Sequence, residues 1–234
     1  MAEDKRDVQI SKSLAYLLRH GAVKEGLPID NNGYVAVDIL LQHNRLKSLH
    51  CKMSDIDRVV ANNAKKRFHI QSVNGQALIC ATQGHSLKSV SPSDEVLQKI
   101  SSQEQLPSKL VHGTNFNSLH LILQSECIKK MRRNHIHLAS GITGLDDGVV
   151  SGMRLSSNVY IYLNVEDLHS KIKLFKSLND VYLTPDDIPI DLVRQVVLVD
   201  SDKNGPAIQE LEPILENRKI NYRRIKRGEA HFES

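Results

Sequence analysis

The chain has 234 residues, of which 40% are hydrophobic and 25% are charged. These proportions are ordinary for a folded protein and exclude a disordered chain, while the length permits one large domain or two of average size. The 31 lysines and arginines against 27 aspartates and glutamates give a net charge of +4, which permits a polyanionic partner without requiring one.

The first predicted element is an amphipathic helix over residues 11–20. Apolar residues at positions 10, 14, 17 and 18 recur at helical spacing, so one face can be buried. Gly21 then supplies the residue that a helix C-terminus favours. Arg19 and His20 lie in the last turn, where the helix dipole alone accounts for cations, so a functional role for them requires matching cations elsewhere in the chain.

A turn, two further helices and a hairpin complete the predicted N-terminal lobe, residues 1–90. Turn formers fill residues 27–34, and helices are predicted over residues 37–43 and 54–64. Strands at residues 67–70 and 77–82 are joined across Asn74 and Gly75, a typical hairpin turn. Three helices before a hairpin is the order of a winged-helix module, a class that commonly binds nucleic acids.

The second half of the sequence predicts a β-rich lobe over residues 110–200 and, for the whole chain, an α+β fold. Residues 91–109 are rich in Ser, Gln and Pro and are interpreted as a linker. Residues 201–234 alternate in charge and are interpreted as a solvated C-terminal tail. Strands are predicted at residues 110–114, 135–138, 159–163, 181–183 and 194–199, a helix through residues 119–123, and either helix or strand at residues 165–177.

Several arginines occupy positions from which a guanidinium can be aimed at an anion. Arg19 ends a predicted helix, Arg67 starts a strand, and Arg132 and Arg133 lie beside a strand. A guanidinium is always charged and donates in a fork that fits two phosphate oxygens. Each arginine alone is more often a surface charge, so it is their conjunction that suggests a phosphate site.

Histidines form a second candidate cluster, with His112 in a His-Gly-Thr run and His135 and His137 two positions apart on a predicted strand, where they share a face. Three interpretations stay open. A zinc site lacks a suitably spaced Cys or acidic residue, and the paired His-x-Thr site of some RNA ligases and cyclic phosphodiesterases lacks its second copy. A dinucleotide pocket fits the Gly-rich connections, although no G-x-G-x-x-G supports a Rossmann domain.

The cysteines and the N-terminal residues indicate the cellular compartment. Cys51, Cys80 and Cys127 form no Cys-x-x-Cys pair, which indicates neither a disulfide framework nor a zinc knuckle. The first residues are charged, and no apolar run approaches the ~18 residues of a membrane span. We therefore expect a soluble intracellular protein, in the nucleus, the cytoplasm or both, without a membrane partner.

Six motifs follow one another in a fixed order between residues 4 and 199. Together they resemble the tRNA 2′-phosphotransferases, the KptA family, and particularly its fungal members. The motifs are residues 17–20 (Leu-Leu-Arg-His), 67–70 (Arg-Phe-His-Ile), 81–86 (Ala-Thr-Gln-Gly-His-Ser), 112–114 (His-Gly-Thr), 133–138 (Arg-Asn-His-Ile-His-Leu) and 152–160 (Gly-Met-Arg-Leu-Ser-Ser-Asn-Val-Tyr).

The resemblance implies a winged-helix RNA lobe, an ADP-ribosyltransferase-like NAD⁺ lobe and a reaction in two steps. The 2′-phosphate at a tRNA splice junction passes to NAD⁺ through a 2′-phospho-ADP-ribosylated RNA intermediate, giving RNA with a 2′-OH, nicotinamide and ADP-ribose 1″,2″-cyclic phosphate. The family's catalytic phosphate quartet falls on Arg19, His20, Arg67 and Arg133, the last chosen over Arg132 by the spacing Arg-x-His-x-His. The implied NAD⁺ contacts are His112, Gly113 and Thr114, with His135, His137, Gly152, Arg154 and Ser157 as further candidates.

The resemblance also implies binding partners for the protein, and it leaves the role of His20 and the overall function open to alternatives. We expect a monomer that binds tRNA and NAD⁺, uses NAD⁺ as co-substrate and needs no metal. His20 either donates a proton to the leaving RNA oxygen or only positions the phosphate. Two other functions stay open: a non-catalytic winged-helix RNA-binding protein that senses ADP-ribose or NAD⁺, and an enzyme that transfers ADP-ribose to a nucleic-acid end phosphate and stops there.

Overall fold

A computed structural model describes residues 5–92, 96–166 and 168–226 and shows a mixed α+β protein, as predicted. The chain divides into two compact units, and the boundary falls after Gln98. Two later segments, Arg132–His135 and Ser177–Asn179, belong to the first unit. Arg133 and His135 are therefore part of the N-terminal unit, although the sequence placed them in the second lobe.

The first unit begins with α1, Lys5–Tyr16, which runs directly into a π-helical turn, Leu17–Gly21. The predicted amphipathic helix is present, with residues 10, 14, 17 and 18 fully buried, but its last turn is wider than an α-helical turn. The helical run ends at Gly21, as expected, but Gly21 is not among the glycines with a positive φ. A Cβ on Gly21 would lie 2.6 Å from Cε1 of Tyr16, so glycine here permits the close approach of an aromatic ring.

A three-stranded antiparallel sheet of order β1-β3-β2 packs with the helices of the first unit around one apolar core. The predicted hairpin is confirmed: Asn74 and Gly75 both have positive φ, as its tight turn requires. The strand β1 was not predicted, because three residues are too few to show alternation. The remaining elements are β1 (Tyr34–Ala36), α2 (Val37–Gln42), α3 (Asn44–Lys47), α4 (Met53–Ala61), β2 (Phe68–Val73) and β3 (Gln76–Ala81).

The second unit is built mainly on sheets. One has the strand order β13-β12-β8-β5, a second β4-β9-β10-β7 and a two-stranded sheet joins β11 to β6. Short 3-10 turns occupy Gln103–Gln105 and Ile190–Leu192. The other elements are β4 (Leu97–Ile100), β5 (Val111–Thr114), α5 (Phe116–Ser125), β6 (Cys127–Ile128), β7 (Ile136–Leu138), β8 (Val159–Leu163), α6 (Leu168–Lys171), β9 (Leu174–Ser177), β10 (Tyr182–Thr184), β11 (Ile188–Pro189), β12 (Val193–Asp200), α7 (Gly205–Asn217) and β13 (Tyr222–Lys226).

Residues 205–226 are not the solvated tail that the charge alternation suggested. The helix α7 buries Ile208, Leu211 and Leu215, and β13 pairs in parallel with β12 from Tyr222 to Lys226. The three apolar residues lie at helical spacing, but the charged residues between them masked the pattern. Residues 227–234 lie outside the described part of the chain. The predicted linker is also shorter, because β4 occupies its middle.

A buried carboxylate joins α1 to α4 in the first unit. Asp55 accepts two hydrogen bonds from Arg6, each 2.8 Å, and one of 2.7 Å from Arg58. The backbone N–H of Lys52 also donates to it at 2.9 Å. These bonds, the Arg6 pair first, hold the pKa of Asp55 well below its usual range. Ionised Asp55 therefore stabilises the folded state.

Replacing Asp55→Asn should lower the free energy of unfolding at pH 6 by about 2 kcal/mol, because hydrogen bonds to a charged group are lost. An Asp with a depressed folded pKa stabilises the protein above its unfolded pKa of about 3.9 and loses that contribution as the pH falls. Urea unfolding should therefore show a smaller gap between wild type and variant at pH 3 than at pH 6. Asp57→Asn, an exposed site on the same helix, is the control, and an equal gap at both pH values would contradict the role of the charge.

Candidate active site

The π-helical turn presents Arg19, whose guanidinium is largely withdrawn from solvent. Its Nε and Nη2 are buried, and within the described residues they have no hydrogen-bond partner. The backbone of Gly84 lies close to this side chain, because a Cβ on Gly84 would be 3.6 Å from Cδ, Nε and Cζ of Arg19. A buried charged donor without an acceptor is costly, and such a group is typical of a site that receives an anion. Arg19 therefore has the properties of a phosphate ligand.

The other three members of the predicted quartet lie around Arg19 in the first unit. Burial, followed by repulsion from Arg67 and Arg133, lowers the pKa of Arg19 to about 10. Burial also lowers the pKa of His20, and the charges of Arg19 and Arg133 lower it further. Arg19 and His20 thus lie in one positive field, and Arg19 keeps its charge at neutral pH. Arg67 and Arg133 therefore lie near enough to Arg19 to interact with it electrostatically.

Residues 82–90, which we call the anchoring loop, hold the backbone of the quartet. The N–H of Thr82 donates to the carbonyl of Arg67 at 3.0 Å, and its hydroxyl donates to the carbonyl of Lys66 at 3.0 Å. The N–H of Ser86 donates to the carbonyl of Arg19 at 2.9 Å. The Oγ of Ser86 also lies 2.9 Å from Nδ1 of His20. The loop therefore holds both the segment that carries Arg67 and the π-helical turn that carries Arg19 and His20.

Asn134 attaches the segment that carries Arg133 to the same loop. Its N–H donates to the carbonyl of His85 at 2.9 Å. Its side-chain Nδ2 donates to the carbonyls of Leu87 and Val90 at 2.9 and 3.2 Å. Because Arg133 is the preceding residue, these three bonds set where its side chain starts. Arg133 is exposed, so packing contributes little to its placement.

His85 is a buried neutral group within this cationic region. Burial, then the charges of Arg19, His135 and His20, lower the pKa of its imidazole to about 4. The ring therefore adds polarity without adding to the positive charge at neutral pH. His135, which the resemblance offered as an NAD⁺ contact, belongs to this neighbourhood of the first unit. It precedes β7 rather than lying in it, whereas His137 is a residue of β7 in the second unit.

The second unit brings together most of the other candidates. His112, Gly113 and Thr114 lie on β5 and pair with β8. The Nδ1 of His112 is 3.1 Å from the carbonyl oxygen of His137. A carbonyl only accepts, so Nδ1 carries the proton and Nε2 of the neutral ring is an acceptor. The strand thus presents a histidine of defined tautomer.

Residues 153 and 157 pack closely against β5, and this packing depends on glycine at position 113. A Cβ on Gly113 would be 2.6 Å from Cβ of Met153 and 3.1 Å from Oγ of Ser157. Gly152 has a φ of 108°, and a Cβ there would be 2.7 Å from Cβ of Ala139. Both positions need glycine for close approach, and Gly152 also needs its conformation. Arg154, on the same segment, is exposed.

The sequence pointed to the quartet but gave no role to the residues that hold it. Thr82, Ser86 and Asn134 lie inside quoted motifs, yet their partners are far away along the chain: 66 residues separate His20 from Ser86. The usable signal was the presence of small polar residues beside glycine and histidine within motifs that already contained the cations.

The family model described as RNA 2′-phosphotransferase, Tpt1 / KptA family, matches residues 5–186. The chain belongs to this family. It is 49% identical over 231 residues to the tRNA 2′-phosphotransferase of Saccharomyces cerevisiae, a match that covers 96% of this chain and 98% of that protein. It is 42% identical over 189 residues to tRNA 2′-phosphotransferase 1 of Danio rerio, covering 79% and 81% of the two chains. With the human protein of that name, identity is 40% over 186 residues, covering 78% and 71%.

Family membership confirms the resemblance that the six motifs indicated, including the likeness to a fungal relative. Among the described residues, no group of three His, Cys, Asp or Glu is placed to hold a metal ion. Within the same residues, no helix has the length and apolar character needed to cross a membrane.

Replacing Asn134→Ala should weaken binding of an RNA oligonucleotide that carries an internal 2′-phosphate by about 3- to 10-fold, because two side-chain bonds worth about 1 kcal/mol each no longer hold the Arg133 segment. Fluorescence anisotropy against the same oligonucleotide without the phosphate isolates the phosphate-dependent part. Asn62→Ala, an exposed asparagine of the first unit, is the control. An unchanged preference for the phosphorylated RNA would show that Arg133 does not depend on this anchor.

Proposed function

We propose that this chain is an NAD⁺-dependent tRNA 2′-phosphotransferase that removes the splice-junction 2′-phosphate from ligated tRNA. The observation that carries the proposal is the convergence of Arg19, His20, Arg67 and Arg133, with donors of Arg19 unpartnered within the described residues. Family membership and relatives named tRNA 2′-phosphotransferase support the same reaction class. The acceptor and the order of steps follow the chemistry that the family resemblance implies.

In the first step the three arginines and His20 hold the RNA 2′-phosphate as the nucleophile. A phosphate oxygen forms a bond to the anomeric carbon of the nicotinamide ribose, and the bond from that carbon to the nicotinamide nitrogen breaks. The electron pair stays with nicotinamide, which leaves as a neutral molecule, so the protein needs no strong acid. The cations orient a multiply charged group that would otherwise be hydrated and mobile.

In the second step the ribose 2″-oxygen forms a bond to phosphorus, and the bond from phosphorus to the RNA 2′-oxygen breaks. The 2″-hydroxyl loses a proton, and the RNA 2′-oxygen gains one. Charge builds up on the equatorial phosphate oxygens in the transition state, where the fixed guanidinium groups stabilise it. His20 lies within the same cationic cluster and is the residue that could supply a proton to the leaving oxygen.

We assign NAD⁺ binding to the second unit. The neutral His112 ring offers Nε2 as an acceptor, which suits a ribose hydroxyl, while the backbone at Gly113 and Thr114 offers donors and acceptors to a carboxamide. His137, Gly152 and Ser157 lie in contact with that strand or its neighbours and complete the proposed set, with Arg154 as an exposed cation for the pyrophosphate. His135 is left out of this set because it belongs to the first unit.

We further propose that the first unit acts as a winged-helix RNA-binding lobe and the second as an ADP-ribosyltransferase-like lobe. The element order of the first unit supports this, because β1 lies between α1 and α2 and pairs with the hairpin of β2 and β3. That arrangement is the helix-and-hairpin order expected of such a module. The proposed partner is tRNA carrying an internal 2′-phosphate.

The reaction is tested by incubating the protein with NAD⁺ and an RNA that carries one labelled internal 2′-phosphate, then separating the products. We expect the label in ADP-ribose cyclic phosphate, with release of one nicotinamide per phosphate removed. Label retained on RNA that also carries ADP-ribose would indicate an enzyme that stops after the first step. Intact NAD⁺ with RNA bound but unchanged would favour the non-catalytic binding protein.

Arg67→Ala should lower turnover in this assay by about 10²- to 10³-fold, the usual cost of removing one fixed donor to a charged transition state. Lys66→Ala, an exposed cation next to it in the sequence, should leave turnover within about 2-fold. Measuring both variants under single-turnover conditions shows whether ADP-ribosylated RNA accumulates. Equal losses in the two variants would mean that general positive charge, rather than a placed guanidinium, supports the reaction.

A further inference from the structure

The side chain of His20 has one fixed partner that the chemistry described above does not use. Its Nδ1 lies 2.9 Å from Oγ of Ser86, while the N–H of Ser86 donates to the carbonyl of Arg19 at 2.9 Å. Ser86 therefore holds the π-helical turn through its backbone and the His20 ring through its side chain. The two bonds tie the His20 ring and the backbone beside it to the same residue of the anchoring loop.

We propose that Ser86 is a positioning residue that keeps a proton on Nε2 of His20 in both protonation states of the ring. This inference rests on the proposed function, in which His20 meets a phosphate oxygen or the leaving RNA oxygen, and it assigns that contact to Nε2 because Ser86 lies at Nδ1. In the arrangement that we assign to the neutral ring, the Ser86 hydroxyl donates to Nδ1 rather than accepting from it, so the single ring proton lies on Nε2, where it can meet an anionic oxygen. When the ring is protonated, Nδ1–H donates to the same oxygen, and Nε2 is still a donor.

The hydroxyl of Ser86 matters because it can donate to Nδ1 of the neutral ring and accept from Nδ1–H of the protonated ring. Few other groups can do both. A carbonyl or a carboxylate only accepts, so it would hold the proton on Nδ1 and make the neutral Nε2 an acceptor, which repels phosphate oxygens. The structure contains that opposite case at His112, whose Nδ1 faces the carbonyl of His137. The two histidines thus present Nε2 with opposite polarity, a donor in the phosphate cluster and an acceptor on β5.

The neutral form of His20 is the one for which this control is needed. Burial lowers the pKa of His20, and the cations Arg19 and Arg133 lower it further. His85 is the other titratable group that couples to it, and its own pKa of about 4 keeps it neutral at physiological pH. A cationic site therefore favours the uncharged imidazole, and a hydrogen-bond partner is required to decide which nitrogen keeps the proton.

The kinetic test compares Ser86→Ala with Ser86→Thr in the labelled-RNA assay. Ser86→Ala should lower kcat by about tenfold, with KM for NAD⁺ nearly unchanged, because the ring loses both its orientation and its proton placement. Ser86→Thr retains a hydroxyl and should recover most of the activity. Ser91→Ala removes an exposed serine near the loop whose N–H bonds to the carbonyl of Asn31, and it is the matched control.

The pH profile separates proton placement from a merely structural role. Protonated imidazole has a donor on both nitrogens whatever its partner, so the defect of Ser86→Ala should shrink as the pH falls through the pKa of His20. We expect about tenfold loss above the pKa of His20, located by an NMR titration of its ring, and about threefold or less below that pKa. A loss that is the same on both sides of the pKa would overturn the proposal, because misfolding or loss of ring orientation alone gives that result.

An activity-independent measurement makes the inference separable from the proposed reaction. Long-range ¹H–¹⁵N spectra report which ring nitrogen carries the proton, and the signals of His20 are identified by their loss in His20→Gln. Above its pKa, wild-type His20 should show a protonated Nε2 and an accepting Nδ1, and Ser86→Ala should show a mixture. Protonated Nδ1 in neutral wild-type protein would overturn the inference even if transfer proceeds. Absence of transfer by wild type, with Nε2 protonated as expected, would instead reject the proposed function and leave the tautomer control standing.

Discussion

The cationic cluster of the first unit is held together against its own repulsion, and much of the surrounding structure serves that purpose. Burial lowers the pKa of Arg19, and the charges of Arg67 and Arg133 lower it further because like charges disfavour one another. The compensation comes from neutral backbone hydrogen bonds of the anchoring loop, made by Thr82 and Ser86 as donors and by the carbonyls that receive Asn134. An anion bound among these cations would offset their mutual repulsion. The arrangement therefore suits a ligand of opposite charge.

A π-helical turn carries two adjacent residues of the cationic cluster, Arg19 and His20. In an α-helix, neighbouring side chains point about 100° apart around the axis, which directs consecutive residues to different surfaces. The wider turn at Leu17–Gly21 changes that relation, and such turns are found frequently at functional sites. Gly21 permits it, because the Tyr16 ring occupies the place of a Cβ. Tyr16 is itself held, since its hydroxyl donates to Glu25 and Arg45 lies over its ring.

The sequence predicted the features that depend on local pattern and missed those that depend on distant partners. The amphipathic helix ending at Arg19 and His20 and the Asn-Gly hairpin were visible because their periodicity and turn chemistry lie within a few residues. The strand β13 was not, because it needs β12 as a partner and carries charges that suggest solvent. Nor could the sequence place Arg133 in the first unit, since that depends on hydrogen bonds from Asn134 to carbonyls 44 and 47 residues away.

The two units illustrate how a fold can assign opposite chemistry to the same side chain. A phosphate needs donors and a ribose hydroxyl can use an acceptor, yet a neutral imidazole offers one of each and does not choose between them. The partner of Nδ1 makes the choice: a backbone carbonyl for His112 and, in the arrangement that we propose, a serine hydroxyl for His20. Both partners are fixed by secondary structure or by the anchoring loop rather than by neighbouring sequence. The polarity of each site is therefore a property of the tertiary fold, and a histidine transplanted without its partner would not carry it.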